Sequence, residues 1–124
     1  MNAVAQVAAL VAGLIHIMIF GLESVLFARP AVHGTFGVRS DDLPAVRPWA
    51  FNQGFYNLFL ALGALGGLLV VWVGSDPAGR ALVVFACASM LGAALVLLAT
   101  NVRMVRAAAI QGLAPLVALA FAFV

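Results

Sequence analysis

The sequence predicts an all-α, polytopic membrane protein, a single domain built as an antiparallel bundle of four transmembrane helices. Its 124 residues are 66% hydrophobic and only 8% charged, with a mean hydropathy of +1.21, which lies outside the usual range of soluble domains. Four apolar segments follow one another, each near the roughly 20 residues that cross a hydrocarbon core. Strand-like alternation is absent, and backbone polar groups in lipid must be satisfied internally, so helices are expected.

The breaks between the predicted helices have local causes. Arg29-Pro30 is expected to end the first helix, because the residue before a proline disfavours the helical region. Pro48 suits the first turn of the second helix, and Ser75-Asp76-Pro77 marks a tight turn before the third. No Lys or Arg precedes Arg29, which favours a retained span over a cleaved signal peptide. The predicted helices cover residues 2–27, 49–74, 77–102 and 107–124, with one longer loop at 29–48.

Charge and cysteine content exclude several classes of function. The net charge of +2 comes from six arginines, no lysine and four acidic residues, without any basic run. A nucleic-acid partner is therefore not expected. The single cysteine, Cys87, rules out an intrachain disulfide and has no metal-ligand spacing, so it is expected to be a small buried hydrophobe.

The arginines predict an orientation in the membrane. Only Arg80 lies on the side of the second loop, whereas five arginines lie in or beside the first and third loops: Arg29, Arg39, Arg47, Arg103 and Arg106. The positive-inside rule places those two loops in the cytoplasm. We therefore expect a multi-pass protein of the bacterial inner membrane with both termini outside and the lipid bilayer as its immediate partner.

Glu23 is the residue of the predicted spans that most needs an explanation. A carboxylate costs roughly 2.5–3.5 kcal/mol at a bilayer centre on insertion scales, and less toward a helix end. One interpretation is structural, with Glu23 paired to Arg29 or to amides of the second helix. The other is functional, with Glu23 binding a ligand or carrying a proton.

The remaining polar side chains of the spans suggest a site around Glu23. In an up-down bundle, most of them fall in the same half of the membrane as Glu23, while His16 lies about 10.5 Å deeper along the first helix. In the second helix, Asn52 and Tyr56 are four residues apart, and so are Gln53 and Asn57. This spacing predicts one polar face. Hydrogen bonds between helices and contacts of helix ends with headgroups are the structural alternatives. The candidate ligand-binding or proton-carrying set is Glu23, His16, Asn52, Gln53, Tyr56, Asn57, Asn101 and Gln111.

The polar residues of the spans also resemble those of a known protein family. His16 and Glu23, the segment Asn52-Gln-Gly-Phe-Tyr-Asn57, and Gln111-Gly112 followed by Pro115 resemble a bacterial family of small four-helix membrane proteins, the domain-of-unknown-function family number 1304. The resemblance extends over nearly the whole chain, and the Asn-Gln-Gly-x-Tyr-Asn segment is its most specific part. It implies an integral inner-membrane protein and supplies no catalytic residues.

Three kinds of function remain open from the sequence. The first is binding or transport of a small lipophilic or cationic ligand, with Glu23 exchanging a proton. The second is a membrane-embedded enzyme acting on a small lipophilic substrate, with Glu23 and His16 as acid–base partners or with His16 holding a haem or metal. The third is an accessory subunit of a membrane complex. No metal site is predicted beyond His16 as a candidate, and a homo-oligomer is plausible because four such helices enclose little volume.

Overall fold

The computed structural model describes residues 1–124, and all of its regular structure is helical. Its five α-helices are α1 (Ala3–Phe20), α2 (Pro30–Thr35), α3 (Leu43–Trp72), α4 (Asp76–Thr100) and α5 (Val105–Phe121). Four helical stretches are long and apolar enough to cross a membrane: Ala3–Val25, Ser40–Trp72, Asp76–Thr100 and Val102–Phe121. The predicted fold class is therefore confirmed, a polytopic membrane protein with four spanning helices.

The chain divides into two compact units. The first, here called the bundle unit, consists of Met1–Ile15 and Leu60–Val124. It contains most of α1, the second half of α3, and all of α4 and α5. The second, called the Glu23 unit, is the segment His16–Phe59.

Within the bundle unit, parts of four helices share one interior. The Trp72 indole donates to Gln6 Oε1 at 2.7 Å, and seven residues farther along α1, Gly13 packs against Leu65. Residue numbers thus rise along α1 as they fall along α3, so these two helices are antiparallel. The short turns after α3 and after α4 make the other neighbours antiparallel as well. The shared core contains Ala8, Ala9, Leu68, Val83, Cys87 and Ala118.

The bundle unit packs small side chains inward and turns large apolar side chains outward. Ala5, Ala9 and Ala12 of α1 are fully buried, whereas Val7 and Leu14 of the same helix are more than half exposed. In lipid, apolar burial alone does not drive helices together, so close contact through small residues replaces it. This distribution matches a bundle surrounded by hydrocarbon. It also confirms that Cys87 is a buried apolar residue, since its exposure is 0%.

Gly67 brings α3 and α4 into backbone contact. A Cβ added at Gly67 would lie 2.9 Å from both the carbonyl oxygen of Gly79 and the amide nitrogen of Val83. Such distances leave no room for a side chain. The small-residue pair Gly63 and Gly67 therefore serves packing inside this chain, with Gly63 facing Ala86.

A polar network lies at the end of the bundle unit that carries the α3–α4 turn. The Arg80 guanidinium pairs with Asp76 one turn earlier on α4. It also donates to the carbonyl oxygen of Ala122 at 2.9 Å, just beyond the C-terminus of α5. A cation at this position complements the partial negative charge of the helix end, which accounts for Arg80 on the otherwise arginine-poor side.

The first loop is more ordered than the sequence indicated. The second spanning helix begins at Leu43 rather than near residue 49, so Pro48 lies inside α3. Pro48 is the sixth residue of α3, and its missing N–H removes only the helical donor to the carbonyl oxygen of Pro44. The preceding 3₁₀ turn also places Asp41 and Asp42 beside the helix N-terminus, where negative charge is favourable.

The Glu23 unit contains a small aromatic core of its own. Arg29 is extended, as expected before a proline, and Pro30 opens the short helix α2. Buried Phe27 packs against the rings of His33 and Phe36, with centroids 6.3 and 5.8 Å away. Residues 27–36 are therefore held together by contacts among these three rings.

Candidate functional site

Glu23 lies in a π-helical turn that continues α1. The turn covers Gly21–Val25, and the amide of Leu26 donates to the carbonyl oxygen of Gly21 at 2.9 Å, a bond spanning five residues. A π turn adds one residue to the winding and so changes the direction of the side chains that follow. Such turns are rare and frequently occur at functional sites. The first helix was predicted to continue to residue 27, and this local irregularity was not foreseen.

The Glu23 carboxylate is held by an amide of α3. Asn57 Nδ2 donates to Glu23 Oε2 at 2.8 Å and to the carbonyl oxygen of Gln53 at 3.1 Å. Asn57 is 7% exposed, so these two hydrogen bonds hold a buried amide group in place. Of the two structural pairings considered for Glu23, the one with an α3 amide is present and the ion pair with Arg29 is not formed.

The two oxygens of Glu23 are in different environments. Oε2 accepts from Asn57, whereas Oε1 accepts no hydrogen bond within the protein. No buried side-chain oxygen or nitrogen in the structure lacks a partner, which means that Oε1 is accessible at the surface of this half-buried residue. The carboxylate is thus oriented through one oxygen and open to a donor or cation through the other.

Ser24 and Gly54 set the distance between the π turn and α3. Ser24 Oγ donates to the carbonyl oxygen of Phe51 at 2.8 Å, and a Cβ added at Gly54 would overlap the Ser24 side chain. The absence of a side chain at Gly54 therefore permits the contact that brings Asn57 to Glu23. Neither Gly54 nor Ser24 was among the candidate site residues predicted from the sequence.

Phenylalanine rings continue along the same contact. The Phe20 and Phe55 centroids are 5.1 Å apart in an edge-to-face arrangement, a favourable geometry for aromatic pairs. Along α3, Phe55 also neighbours Phe51 at 5.1 Å and Phe59 at 6.3 Å. Phe51 and Phe59 are more than half exposed, so this row presents ring faces and edges at the surface of the Glu23 unit.

The predicted polar face of the second helix is only partly directed inward. Asn57 is buried, whereas Asn52, Gln53 and Tyr56 are exposed, and their side chains make no hydrogen bond within the protein. Successive helix residues are rotated by about 100°, so residues so close in sequence are distributed around the helix. The structure therefore brings one amide of this group to Glu23.

The other candidates occupy separate environments. His16 is 1% exposed on the buried stripe of α1. Asn101 and Gln111 belong to the bundle unit, where Asn101 Oδ1 accepts from the amide of Arg103 at 3.2 Å and caps a 3₁₀ turn. Gln111 is half-buried on α5. The structure groups no three His, Cys, Asp or Glu side chains in a way that could hold a metal ion.

His33, which was not among the predicted site residues, has a structural role in the Glu23 unit. It is 3% exposed, and its Nδ1 lies 2.8 Å from the carbonyl oxygen of Val38. An Nδ1–H donor at this position closes the segment after α2. The signal in the sequence was the pair of phenylalanines, Phe27 and Phe36, that flank His33.

A comparison with protein-family models matches most of the chain. The family model described as "Protein of unknown function (DUF1304)" matches residues 10–123. No curated protein and no solved structure matches the chain. The match begins within the first spanning helix, extends through the other three, and includes every residue on which the resemblance was based. The chain therefore belongs to the DUF1304 family of proteins of unknown function.

Proposed function

We propose that this protein binds, and carries within the membrane, a small lipophilic cation, with Glu23 as the exchangeable anionic group. The observation that supports this most directly is the state of the Glu23 carboxylate. One oxygen is held by Asn57 at 2.8 Å, the other is accessible, and no cationic side chain of the protein lies within ion-pairing distance. A carboxylate in a span is costly while charged and unpaired, and a bound cation or proton removes that cost.

The neighbouring rings are suited to the apolar part of such a ligand. Phe51 and Phe59 are exposed, and Phe55 links them to Phe20 beside the π turn. Aromatic faces attract cations through their quadrupole and also bury apolar groups. A carboxylate with adjacent phenylalanines therefore favours an organic cation over a hydrated metal ion, which prefers several oxygen ligands.

Proton coupling follows from the same chemistry. The ionised carboxylate attracts a cation, whereas the protonated form does not, so proton and ligand compete for Glu23. Binding is accordingly expected to weaken as the pH is lowered. A pH-independent affinity would contradict the competition.

The experiment measures binding of tetraphenylphosphonium, a lipophilic cation, to the purified protein in detergent. Glu23→Gln keeps the shape and the partner Asn57 while removing the charge, and we expect it to weaken binding by at least about tenfold, or about 1.4 kcal/mol. It should also abolish the pH dependence. The matched control is Asp42→Asn, which removes one exposed carboxylate that forms no ion pair. Equal losses in both variants would mean that net charge alone attracts the probe.

A further inference from the structure

A second candidate site lies in the bundle unit, on the outer surface between α4 and α5. A groove of about 230 Å³ runs between these helices. Several of its side chains face outward, with Leu95 57% and Leu113 60% exposed. The lining is entirely apolar and consists of Leu91, Ala94, Leu95, Leu98, Val105, Ala108, Ala109, Gly112, Leu113 and Leu116.

The groove opens on the outer surface of the two helices, since lining residues such as Leu95 and Leu113 are exposed. In a spanning bundle that surface faces hydrocarbon. A flexible hydrocarbon chain therefore matches the apolar lining of the groove.

The end of the groove carries uncompensated positive charge. Val105 lines the groove, and its chain neighbour Arg106 and the nearby Arg103 are both exposed. Neither guanidinium forms an ion pair. Side chains of a helix lean toward its N-terminus, which directs Arg106 toward the α4–α5 turn, where Arg103 also lies.

No acidic residue of the bundle unit can neutralise these arginines. Its only carboxylate side chain is Asp76, which is paired with Arg80 at the opposite end of α4. The 25 residues of α4 correspond to about 37 Å along the axis, so Asp76 is too far away to pair with either arginine. An anionic partner of these arginines would therefore come from outside this unit.

We propose that this surface binds one anionic phospholipid, with an acyl chain in the α4–α5 groove and the phosphate at Arg103 and Arg106. Arginine forms bidentate hydrogen bonds with phosphate oxygens, and each basic residue near the membrane surface attracts anionic lipids. The phosphate lies at the depth of the α4–α5 turn, which is where a headgroup meets a chain that enters the hydrocarbon beside α5. The site does not involve Glu23 and does not depend on the function proposed above.

The test is native mass spectrometry of the purified protein titrated with phosphatidylglycerol or, separately, phosphatidylcholine. We expect one phosphatidylglycerol to be retained and phosphatidylcholine to bind at least about tenfold more weakly. Each Arg near an anionic lipid is worth about fivefold in affinity, so Arg103→Gln with Arg106→Gln should weaken phosphatidylglycerol binding by about 25-fold. The charge-matched control, Arg29→Gln with Arg47→Gln, should retain near-normal binding.

A second pair of variants tests the groove itself. Ala109→Phe fills it and should reduce phosphatidylglycerol binding, whereas Ala93→Phe adds the same ring to an exposed position of α4 outside the groove and should not. Equal binding of the two lipids, or equal losses in the two arginine pairs, would overturn the proposal. So would a chain-to-chain disulfide formed through Leu113→Cys in a Cys87→Ser background, because a second copy would then cover the groove.

Discussion

At the scale of single residues, Asn57 is the counterpart of Glu23. Its amide nitrogen donates both to the carboxylate and to the carbonyl oxygen of Gln53 in its own helix. The second bond fixes the rotamer, so Asn57 holds Glu23 in one orientation. Hydrogen bonds to charged groups contribute about 1.5–3 kcal/mol, which makes this pair a substantial local interaction.

Asn57→Ala is therefore expected to destabilise the protein by about 1–3 kcal/mol. The substitution removes the only hydrogen-bond donor that the protein offers to Glu23. The measurement is reversible unfolding in mixed detergent micelles, followed by circular dichroism.

Asn52→Ala is the matched control for this prediction. Asn52 lies on the same helix but is exposed, and its side chain makes no hydrogen bond within the protein. We expect a change below about 0.5 kcal/mol. The double variant Glu23→Gln with Asn57→Ala should lose less than the sum of the single changes, since the two residues interact directly. Strict additivity would show that the pair is not coupled.

At the scale of helices, the Glu23 site depends on two local irregularities that face each other. On the first spanning helix, the π turn Gly21–Val25 interrupts the regular winding. On α3, Gly54 leaves the space into which Ser24 projects. The bond from Ser24 to the carbonyl oxygen of Phe51 then joins the two helices. The carboxylate is thus positioned by backbone geometry as well as by its side-chain partner.

Gly54→Ala should disrupt this contact. The new methyl group would overlap Ser24, and such overpacking typically costs about 1–3 kcal/mol. Separation of the π turn from α3 should also weaken the Glu23–Asn57 bond, so tetraphenylphosphonium binding is expected to change together with stability.

Gly66→Ala on the same helix provides the comparison. Nothing lies within 4 Å of a Cβ added at Gly66, so no clash arises. Alanine is favoured over glycine in a helix by up to about 1 kcal/mol, and the variant should be neutral or slightly more stable. Equal destabilisation by both substitutions would show that the effect at Gly54 is not steric.

At the scale of the whole molecule, the distribution of polarity identifies the solvent as lipid. Alanines line the interior of the bundle unit, and large apolar side chains are exposed along all four spanning helices. Arg80, the one arginine on the side of the second loop, is paired with Asp76 and with a helix end, which accounts for its position. The remaining five arginines support the proposed orientation, with the first and third loops in the cytoplasm.

Cysteine labelling tests this orientation in intact cells. In a Cys87→Ser background, Asp42→Cys should resist an impermeant thiol reagent, because it lies on the predicted cytoplasmic side. Ser75→Cys, in the turn between α3 and α4, should be labelled under the same conditions. The reverse pattern would invert the topology, and only permeabilisation should expose both positions.

Much of the candidate site could be anticipated from polarity. Glu23 was identified because a carboxylate in an apolar span is costly, and Asn57 belonged to the group of α3 polar residues expected near it. The sequence did not distinguish Asn57 from Asn52 and Gln53, because a helix rotates about 100° per residue and the facing direction depends on the neighbouring helix. Ser24 was missed for a related reason, since its role arises only from contact with Gly54 and Phe51.

By itself, the sequence determined the fold class, the number of spans and the family, because hydrophobicity and length are properties of each segment alone. Only the tertiary structure decided how Glu23 is held. Its pairing with Asn57 and the accessibility of its second oxygen depend on the approach of two helices that are far apart in sequence. That approach is governed by side-chain volumes at the contact, and above all by the absence of a side chain at Gly54.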